Sequence, residues 1–237
     1  MNSKYCIVCP IGNEESNIKV FLDKISQLND FYFIGVFDDY SKDNSLNILK
    51  DKMFIDTRFS YIHIGKSNGL ATAYLLGFKK AIELNFEKII EMDVGHPEEN
   101  INFIVENLSD YDVVFGSRFL QKNTTTYSLN RFLISKIGTY MSQYLLGMPF
   151  SDCTSGFQGF KSSVLKPLLL NKFLSKGHIY QTEMKFYCKN LHFKEFYIPY
   201  TTNASSFNYK QLAEGISVFF KLFLLNITKR NILIKKS

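Results

Sequence analysis

The stretch Phe37-Asp38-Asp39-Tyr40-Ser41-Lys42-Asp43-Asn44-Ser45 decides the fold class of this 237-residue chain. It follows an apolar run over residues 32–37, which predicts a buried strand. Two adjacent carboxylates therefore stand at the carboxyl end of a strand, where open α/β sheets bind their ligands. The alternative is an ordinary strand exit in which Asp39 or Ser41 caps the next helix.

Three further segments follow the same plan of strand, turn and helix. Residues 5–10 predict a strand that leads to Asn13 as the cap of a helix, and the apolar stripe of that helix contains Ile18, Phe21, Leu22, Ile25 and Leu28. Residues 59–64 predict a third strand before Gly69 and a helix, and residues 88–92 predict a fourth that ends at Asp93. Repetition with short turns predicts a Rossmann-like, doubly wound, mostly parallel sheet.

Composition indicates one domain in a reducing compartment. The chain has 46% hydrophobic residues and a formal net charge of +6, enough apolar content for a substantial core. Cys6 and Cys9 are three apart on a strand, so they point to opposite faces and form a poor metal or redox site. The first residues lead directly into a strand, so we expect no signal peptide. No aromatic-basic or zinc motif supports nucleic-acid binding.

Seven short motifs then occur in a fixed order. They are Pro10-Ile11-Gly12-Asn13-Glu14, Phe37-Asp38-Asp39-Tyr40-Ser41-Lys42-Asp43, Gly69-Leu70-Ala71-Thr72-Ala73, Met92-Asp93, Gly116-Ser117-Arg118-Phe119, Asp152-Cys153-Thr154-Ser155-Gly156-Phe157 and Lys176-Gly177-His178-Ile179-Tyr180-Gln181-Thr182-Glu183. In this order and spacing they resemble the family 2 glycosyltransferases of the GT-A fold, in particular the branch of dolichol-phosphate mannosyltransferases and polyprenyl-phosphate sugar synthases. The resemblance covers residues 5 to about 200.

The resemblance implies a site for a nucleotide-sugar donor and a metal. The residues it implies for donor binding are Pro10, Glu14, Asp38, Asp39, Asp93, Val94 and Lys210. It implies that Asp93 is catalytic and holds Mg²⁺ or Mn²⁺ beside the diphosphate, with His96 as a second ligand. A divalent cation suits this role because the leaving diphosphate carries concentrated negative charge.

The metal motif is shorter here than in the family. The family has Met-Asp-x-Asp, whereas this chain has Met92-Asp93-Val94-Gly95-His96-Pro97 and lacks the second aspartate. Three interpretations follow: His96 or a diphosphate oxygen completes the metal shell, catalysis proceeds with a weaker metal site, or the enzyme has lost activity. One carboxylate is sufficient where phosphates supply the other oxygens. His96, beside Pro97 at a helix start, has the alternative of capping or packing.

The acceptor side carries residues suited to a phosphate. The resemblance implies that Arg118, Arg131, Ser135 and Gln181 hold the acceptor phosphate, and an arginine fork donates two parallel hydrogen bonds to such a group. For Arg131 the alternative is a solvated helix residue. A phosphate acceptor is already ionised and needs no strong base. Transfer to a glycan hydroxyl would need one, and Glu183 is then the candidate catalytic base.

The end of the chain predicts an amphipathic helix. Its apolar residues are Ile216, Phe219, Phe220, Phe223, Leu224 and Ile227, and Lys229, Arg230, Lys235 and Lys236 follow. This pattern is typical of helices that lie in a membrane interface, and Lys221 and Asn226 make it too polar for a confident span. The sequence thus divides into a transferase domain, 1–212, and a basic membrane-associated tail, 213–237.

The sequence predicts transfer of a sugar from GDP-mannose or a UDP-hexose to a polyprenyl phosphate, dolichyl or undecaprenyl. The expected location is the cytoplasmic face of a membrane, with the lipid surface and an integral-membrane protein as candidate partners. Two alternatives remain at this point. One is transfer to a glycan hydroxyl in polysaccharide synthesis, and the other is a non-catalytic nucleotide-sugar-binding subunit.

Overall fold

The computed structural model describes residues 4–121, 125 and 126, 129–201 and 209–228. The strands within these ranges are β1 (Tyr5–Pro10), β2 (Phe31–Phe37), β3 (Phe59–His63), β4 (Lys88–Glu91), β5 (Val113–Ser117), β6 (Thr125–Thr126), β7 (Gln158–Lys161), β8 (Phe193–Tyr197) and β9 (Tyr200–Thr201). The helices are α1 (Glu15–Ile25), α2 (Ser45–Ile55), α3 (Leu70–Glu83), α4 (Ile101–Asn107), α5 (Leu129–Leu146), α6 (Ser162–Leu168), α7 (Tyr180–Cys188) and α8 (Tyr209–Ile227).

Seven of these strands form one sheet in the order β3-β2-β1-β4-β7-β5-β8. All neighbours are parallel except β7, which is antiparallel to both β4 and β5. Strands β6 and β9 form a separate parallel pair. The predicted α/β class with a mostly parallel sheet is confirmed.

The order of the strands creates a crevice beside β1. From β1 the chain winds outward through β2 to β3, and α3 then carries it back to β4 on the other side of β1. A sheet whose winding reverses in this way opens between the two central strands at their carboxyl ends. The segments after β1 and β4, which carry Glu14 and Asp93, therefore border the same crevice.

Two apolar cores cover the two faces of the sheet. Helices α1, α2 and α4 cover one face, and helices α3, α6, α7 and α8 cover the other, together with the end of α5. Cys6 lies in one core and Cys9 in the other, as expected for residues three apart on a strand. All four cysteines of the chain are buried and unpaired.

The local predictions for the first helix are partly confirmed. Ile18, Phe21, Leu22 and Ile25 are buried on one side of α1, as their spacing predicts. The helix ends at Ile25, so Leu28 lies beyond it. Gly69 precedes α3 with φ +90°, a conformation that favours glycine, and a Cβ there would lie 2.4 Å from the Lys176 carbonyl oxygen.

Helix α8 begins at Tyr209, before the predicted boundary at 212/213, and packs on the domain. Val218 and Leu222 are buried in the core that also contains α3 and α7. Among the helices that the structure describes, none is both long and apolar enough to cross a membrane.

Candidate active site

The loop after β1 is joined to the loop after β2 by a set of hydrogen bonds. Asn13 receives a bond from the Lys42 N–H (2.9 Å) and donates its amide to the Tyr40 carbonyl oxygen (3.2 Å). The backbone N–H of Glu14 donates to Ser45 Oγ at 2.9 Å. Asn13 has φ 59° and does not cap α1, so the predicted cap was wrong. Its side chain instead fixes one wall of the crevice.

The adjacent acids Asp38 and Asp39 have different surroundings. Asp38 Oδ1 accepts the Tyr40 N–H at 3.0 Å, so this carboxylate closes a tight turn. The side chain of Asp39 is 53% exposed, and its Oδ1 lies 3.4 Å from His63 Nε2. Neither Asp39 nor Ser41 caps α2, because that helix begins only at Ser45. Asp39 is therefore the acid of this pair that a ligand can reach most readily.

Asp93 follows β4 on a turn that is held from two sides. The Tyr74 hydroxyl of α3 donates to Asp93 Oδ1. The Asp93 N–H donates to His96 Nδ1 at 2.8 Å, and the His96 N–H returns to the Asp93 carbonyl oxygen at 3.0 Å. The Asp93 side chain is 46% exposed. The crevice thus presents one oriented carboxylate, whose second oxygen, Oδ2, lies 3.9 Å from His96 Nε2.

His96 stabilises the turn after β4. Its ring stacks on Phe157 with centroids 5.0 Å apart, and burial lowers the pKa of the ring, although Asp93 opposes this. Because Nδ1 accepts the Asp93 N–H, the ring proton is on Nε2, and a protonated nitrogen cannot bind a metal. The arrangement does not fit the predicted role of His96 as a metal ligand. It fits the alternative, in which the ring packs.

The surroundings of Asp93 fit a single-carboxylate cation site. In the part of the chain that the structure describes, no three His, Cys, Asp or Glu side chains form a metal cluster. Burial raises the pKa of Glu14, a hydrogen bond from Asn17 lowers it, and the charges of Asp93 and Asp43 raise it further. The carboxylates of Glu14, Asp43 and Asp93 thus act on one another, and this concentration of negative charge favours a divalent cation. A hard cation held by one carboxylate needs further oxygens from its ligand.

Arg118 lies in a buried ion pair. Its Nε and Nη2 bind the two oxygens of Asp152 at 2.6 and 2.9 Å, and Nη2 also donates to the Thr154 hydroxyl. Burial alone would raise the pKa of Asp152, but the Arg118 guanidinium outweighs it and holds that pKa well below its usual range. Arg118, which the resemblance implies as a ligand of the acceptor phosphate, therefore joins the end of β5 to the loop 152–157.

Lys185 extends this buried network. Its ammonium donates to the Asp152 carbonyl oxygen at 2.6 Å and to the Ser155 hydroxyl at 3.0 Å, and it lies 5.0 Å from the centre of the Phe115 ring. Burial lowers the pKa of Lys185, although Asp152 opposes this. These hydrogen bonds fix the loop 152–157, which carries Phe157, the residue on which the His96 ring stacks.

Glu183 is fully buried and its carboxylate is occupied. The backbone N–H groups of Leu174 and Ser175 donate to its two oxygens at 2.8 and 2.9 Å, and the hydroxyls of Ser175 and Tyr187 donate as well. A general base must reach the proton that it removes. The geometry therefore assigns Glu183 to the loop before α7, in place of the catalytic role expected of it.

The remaining predicted residues have varied positions. Gln181 is buried and packs against Gly156. A Cβ atom at position 156 would lie 2.8 Å from Nε2 of Gln181. Val94 is half-buried in the Asp93 turn, Ser135 is half-buried on α5, and Lys210 is exposed in the first turn of α8. Pro10 ends β1 beside the crevice. Arg131 belongs to α5, and its side chain lies outside the described part.

Sequence reasoning missed two contributors to this site, Tyr74 and Lys185. Tyr74 lies on the buried face of α3 and was indistinguishable from a packing residue. Lys185 carried no local signal either, because Gln181, Thr182 and Glu183 on the same helix are also polar and only the fold shows that all four are buried. A cavity of about 290 Å³ lies between α3 and the loop 169–176, but neither Asp39 nor Asp93 lines it.

Comparison with known proteins identifies the kind of protein this fold and crevice belong to. The model of the family described as "Glycosyl transferase family 2" matches residues 6–169. The polyprenol monophosphomannose synthase of Mycolicibacterium smegmatis is 26% identical over 200 residues, 82% of this chain and 76% of that protein. The undecaprenyl-phosphate mannosyltransferase of Micrococcus luteus is 24% identical over 212 residues, 88% of this chain and 87% of that protein.

Solved structures share the fold. One is the glucosyl-3-phosphoglycerate synthase of Mycobacterium tuberculosis in complex with Mn²⁺, UDP-glucose and phosphoglyceric acid, which superposes with a TM-score of 0.68 at 14% identity. The match covers 94% of this chain and 79% of that one. A second structure of that enzyme, in complex with Mn²⁺, UDP and glucosyl-3-phosphoglycerate, has a TM-score of 0.67 at 15% identity, covering 94% of this chain and 79% of that one. The fold is therefore GT-A.

Proposed function

The chain belongs to glycosyl transferase family 2, and we propose that it transfers a sugar from a nucleotide diphosphate to the phosphate of a polyprenol. The observation that carries this proposal is the oriented, half-exposed carboxylate of Asp93 at the crevice where the winding of the sheet reverses. The names of the two mannosyltransferase relatives support a polyprenyl phosphate as acceptor.

The donor occupies the crevice between the loops after β1, β2 and β4. Its base and ribose contact the wall that Pro10, Glu14 and Asp38 help to form, and Asp39 accepts hydrogen bonds from them. Val94 and Lys210 are the remaining donor contacts. GDP-mannose and a UDP-hexose are both candidate donors, and the mannose in the names of the two relatives favours a mannosyl donor.

Asp93 would hold Mg²⁺ or Mn²⁺ together with the diphosphate of the donor. When bound, the cation neutralises the charge that develops on the leaving diphosphate. The chain's own contribution is orientation. Tyr74 fixes one oxygen of Asp93, and His96 fixes the backbone of the same turn. The Mn²⁺ in the GT-A structures of similar fold supports this use of a metal.

The position of Glu183 favours a phosphate acceptor over a glycan hydroxyl. A hydroxyl must lose a proton as it attacks, whereas a phosphate at neutral pH already carries the nucleophilic oxygen. Glu183, the candidate base for a hydroxyl acceptor, is buried, and its carboxylate accepts the backbone N–H groups of Leu174 and Ser175. In this proposal the acceptor phosphate is bound by Arg131 and Ser135 on α5 and by Gln181 on α7.

The acceptor also places the protein at a membrane. The outer face of α8 and the basic residues after it would draw the protein to an anionic leaflet, at the cytoplasmic face where nucleotide sugars are available. An integral-membrane protein is a further candidate partner.

Arg131→Lys tests the acceptor assignment. Lysine keeps the charge but loses the bidentate fork, so transfer to polyprenyl phosphate should fall while donor affinity is unchanged. Arg230→Lys makes the same change in the tail and serves as the control. Normal lipid transfer by Arg131→Lys, or transfer by the wild type to glycan hydroxyls alone, would reject the lipid acceptor. Donor binding without turnover on any acceptor would favour a non-catalytic subunit.

A further inference from the structure

Two carboxylates hold four consecutive backbone N–H groups in the turn 174–177. Glu183 of α7 accepts the first two of them. Oε1 of Glu214, on α8, accepts those of Lys176 and Gly177 at 2.6 and 2.9 Å. Glu183 belongs to the helix that directly follows the turn, whereas Glu214 lies 37 positions beyond Gly177. Glu214 is therefore the contact through which α8 fixes this turn.

The fit between Glu214 and the turn is close. A Cβ atom at position 177 would lie 2.9 Å from Glu214 Oε2, so a larger residue there would displace the carboxylate. Glu214 is half-buried and is the only acid in the sequence of α8. Hydrogen bonds from N–H groups to a carboxylate are charge-assisted and about twice as strong as neutral ones. The place of the turn therefore depends on the place of this side chain.

The turn 174–177 also contacts the start of α3. The Lys176 carbonyl oxygen accepts the Ala71 N–H at 3.0 Å, and Gly69 packs against the same carbonyl group. The Ala71 N–H is one of the donors that the first turn of a helix leaves without an intrahelical partner. Tyr74 lies one turn further along α3. A shift of the turn 174–177 would therefore move the part of α3 that carries Tyr74.

A second contact leads from the same turn to the Tyr74 ring. The Gly177 carbonyl oxygen accepts the Tyr180 N–H at 3.1 Å, where α7 begins. The ring of Tyr180 stacks on that of Tyr74, with centroids 5.7 Å apart and an interplanar angle of 11°. The backbone contact and the ring contact thus converge on Tyr74, whose hydroxyl donates to Asp93 Oδ1.

We propose that Glu214 is a positioning residue for the Asp93 carboxylate. It acts through the turn 174–177 and Tyr74, and it takes no part in the chemistry itself. The metal motif has one aspartate in this chain, so cation binding depends closely on how that carboxylate is oriented. Helix α8 is thereby linked to the donor crevice. The inference rests on the proposed function, in which Asp93 serves a metal-bound nucleotide.

The first test measures the Mn²⁺ concentration at which the full chain binds GDP or UDP half-maximally, by calorimetry. We expect Glu214→Ala to need about fivefold more Mn²⁺ than the wild type. Glu214→Gln should recover most of the difference, because its amide oxygen can take the place of Oε1. Gly177→Ala displaces the carboxylate from the other side and should resemble Glu214→Ala. Glu106→Ala changes an exposed acid on α4, across the sheet, and is the matched control.

A double-mutant cycle with Tyr74→Phe tests the route. If Glu214 acts through the Tyr74 hydroxyl, Glu214→Ala adds little to the Mn²⁺ requirement of Tyr74→Phe. Thermal melting shows that each variant is folded at the temperature of the assay. Additive effects on the Mn²⁺ requirement would overturn the proposal. A lower melting temperature with an unchanged Mn²⁺ requirement would also overturn it, because Glu214 would then only stabilise the fold.

Hydrogen exchange separates this proposal from the proposed function, because it needs neither nucleotide nor acceptor. In Glu214→Ala, the amides of residues 70–74 should exchange about tenfold faster than in the wild type, while those of α4 keep their rates. If the wild type binds no nucleotide and transfers no sugar, the proposed function fails, and faster exchange at the start of α3 still supports the link from Glu214 to Tyr74. Unchanged exchange there in Glu214→Ala would overturn the proposal.

Discussion

The Tyr74 hydroxyl donates a hydrogen bond to Oδ1 of Asp93, joining the buried face of α3 to the acid that follows β4. Tyr74 is fully buried, and its ring stacks on Tyr180 with centroids 5.7 Å apart. The Asp93 side chain is half-exposed. Helix α3 therefore orients the carboxylate of Asp93 toward the crevice through Tyr74. This orientation matters because the metal motif of this chain has one aspartate where the family has two.

Tyr74→Phe should weaken catalysis more than it weakens the fold. It removes the hydroxyl but keeps the ring, so Asp93 gains other orientations, and we expect kcat/KM to fall about tenfold with a higher requirement for Mn²⁺. Tyr180→Phe is the matched control, because its hydroxyl donates to Glu91 at 3.3 Å. Steady-state kinetics over a Mn²⁺ titration measure the difference. Equal Mn²⁺ dependence in both variants would show that Tyr74 only packs.

Asp39→Ala should weaken nucleotide binding. The loss leaves polar groups of the bound nucleoside without a partner, which costs about 1–3 kcal/mol of affinity. Calorimetry with the nucleoside diphosphate measures it, and Asp51→Ala, an exposed acid on α2, serves as the control. If Asp39→Ala and Asp51→Ala bind as tightly as the wild type, Asp39 is an ordinary solvated loop residue.

Arg118→Ala should unfold at much lower denaturant concentration than the wild type. It leaves the buried Asp152 carboxylate without its partner, and breaking such a pair costs about 3–5 kcal/mol of the free energy of unfolding. Chemical denaturation measures this. A phosphate ligand at the surface behaves differently, since its removal lowers transfer and leaves stability near the wild-type value. That second outcome would restore the acceptor-binding role predicted from the sequence.

Glu91→Gln should change how stability depends on pH. Burial raises the pKa of Glu91 well above its ordinary value of 4.5, and Gln158 faces it across the β4–β7 pair. Above pH 4.5 the folded chain retains a proton that the unfolded chain has lost. Stability therefore falls as pH rises, by up to about 1.4 kcal/mol per pH unit, until the folded pKa is reached. Glutamine cannot titrate, so the Glu91→Gln variant does not show this fall in stability as the pH rises.

The measurement is the difference in unfolding free energy between Glu91→Gln and the wild type from pH 5 to pH 7. The variant should gain relative to the wild type as pH rises, because the other titrating groups are common to both proteins. A difference that stays constant with pH would mean that the pKa of Glu91 is unshifted by folding.

The strands and their polar exits could be predicted from local pattern alone. Residues 32–37 form an apolar run, residues 88–92 contain the apolar Ile89, Ile90 and Met92, and each segment is followed by an acid. A parallel sheet brings such strand ends to one edge. The antiparallel insertion of β7 could not be predicted, because residues 158–161 are Gln-Gly-Phe-Lys, which carry neither an apolar run nor a sign of strand direction. Strand direction is decided by tertiary pairing.

The partners of the candidate site residues were beyond local pattern. Arg118 and Asp152 are 34 positions apart, and only the fold shows that they neutralise one another. Glu183 was read from its motif as an acid near the acceptor, yet its position on the inner face of α7 buries it. The packing of α5 required the structure, because its sequence shows a broad apolar surface without saying which side packs.

The most direct test of the central claim is mass spectrometry of the lipid recovered after a reaction. The full chain is incubated with GDP-mannose or a UDP-hexose, Mn²⁺, and undecaprenyl phosphate in vesicles. We predict a lipid phosphate heavier by one hexosyl residue with the wild type, and none with Asp93→Asn, which keeps its fold because Asp93 lies in a surface turn. No glycosylated lipid phosphate from any of these donors, or full turnover by Asp93→Asn, would contradict the account.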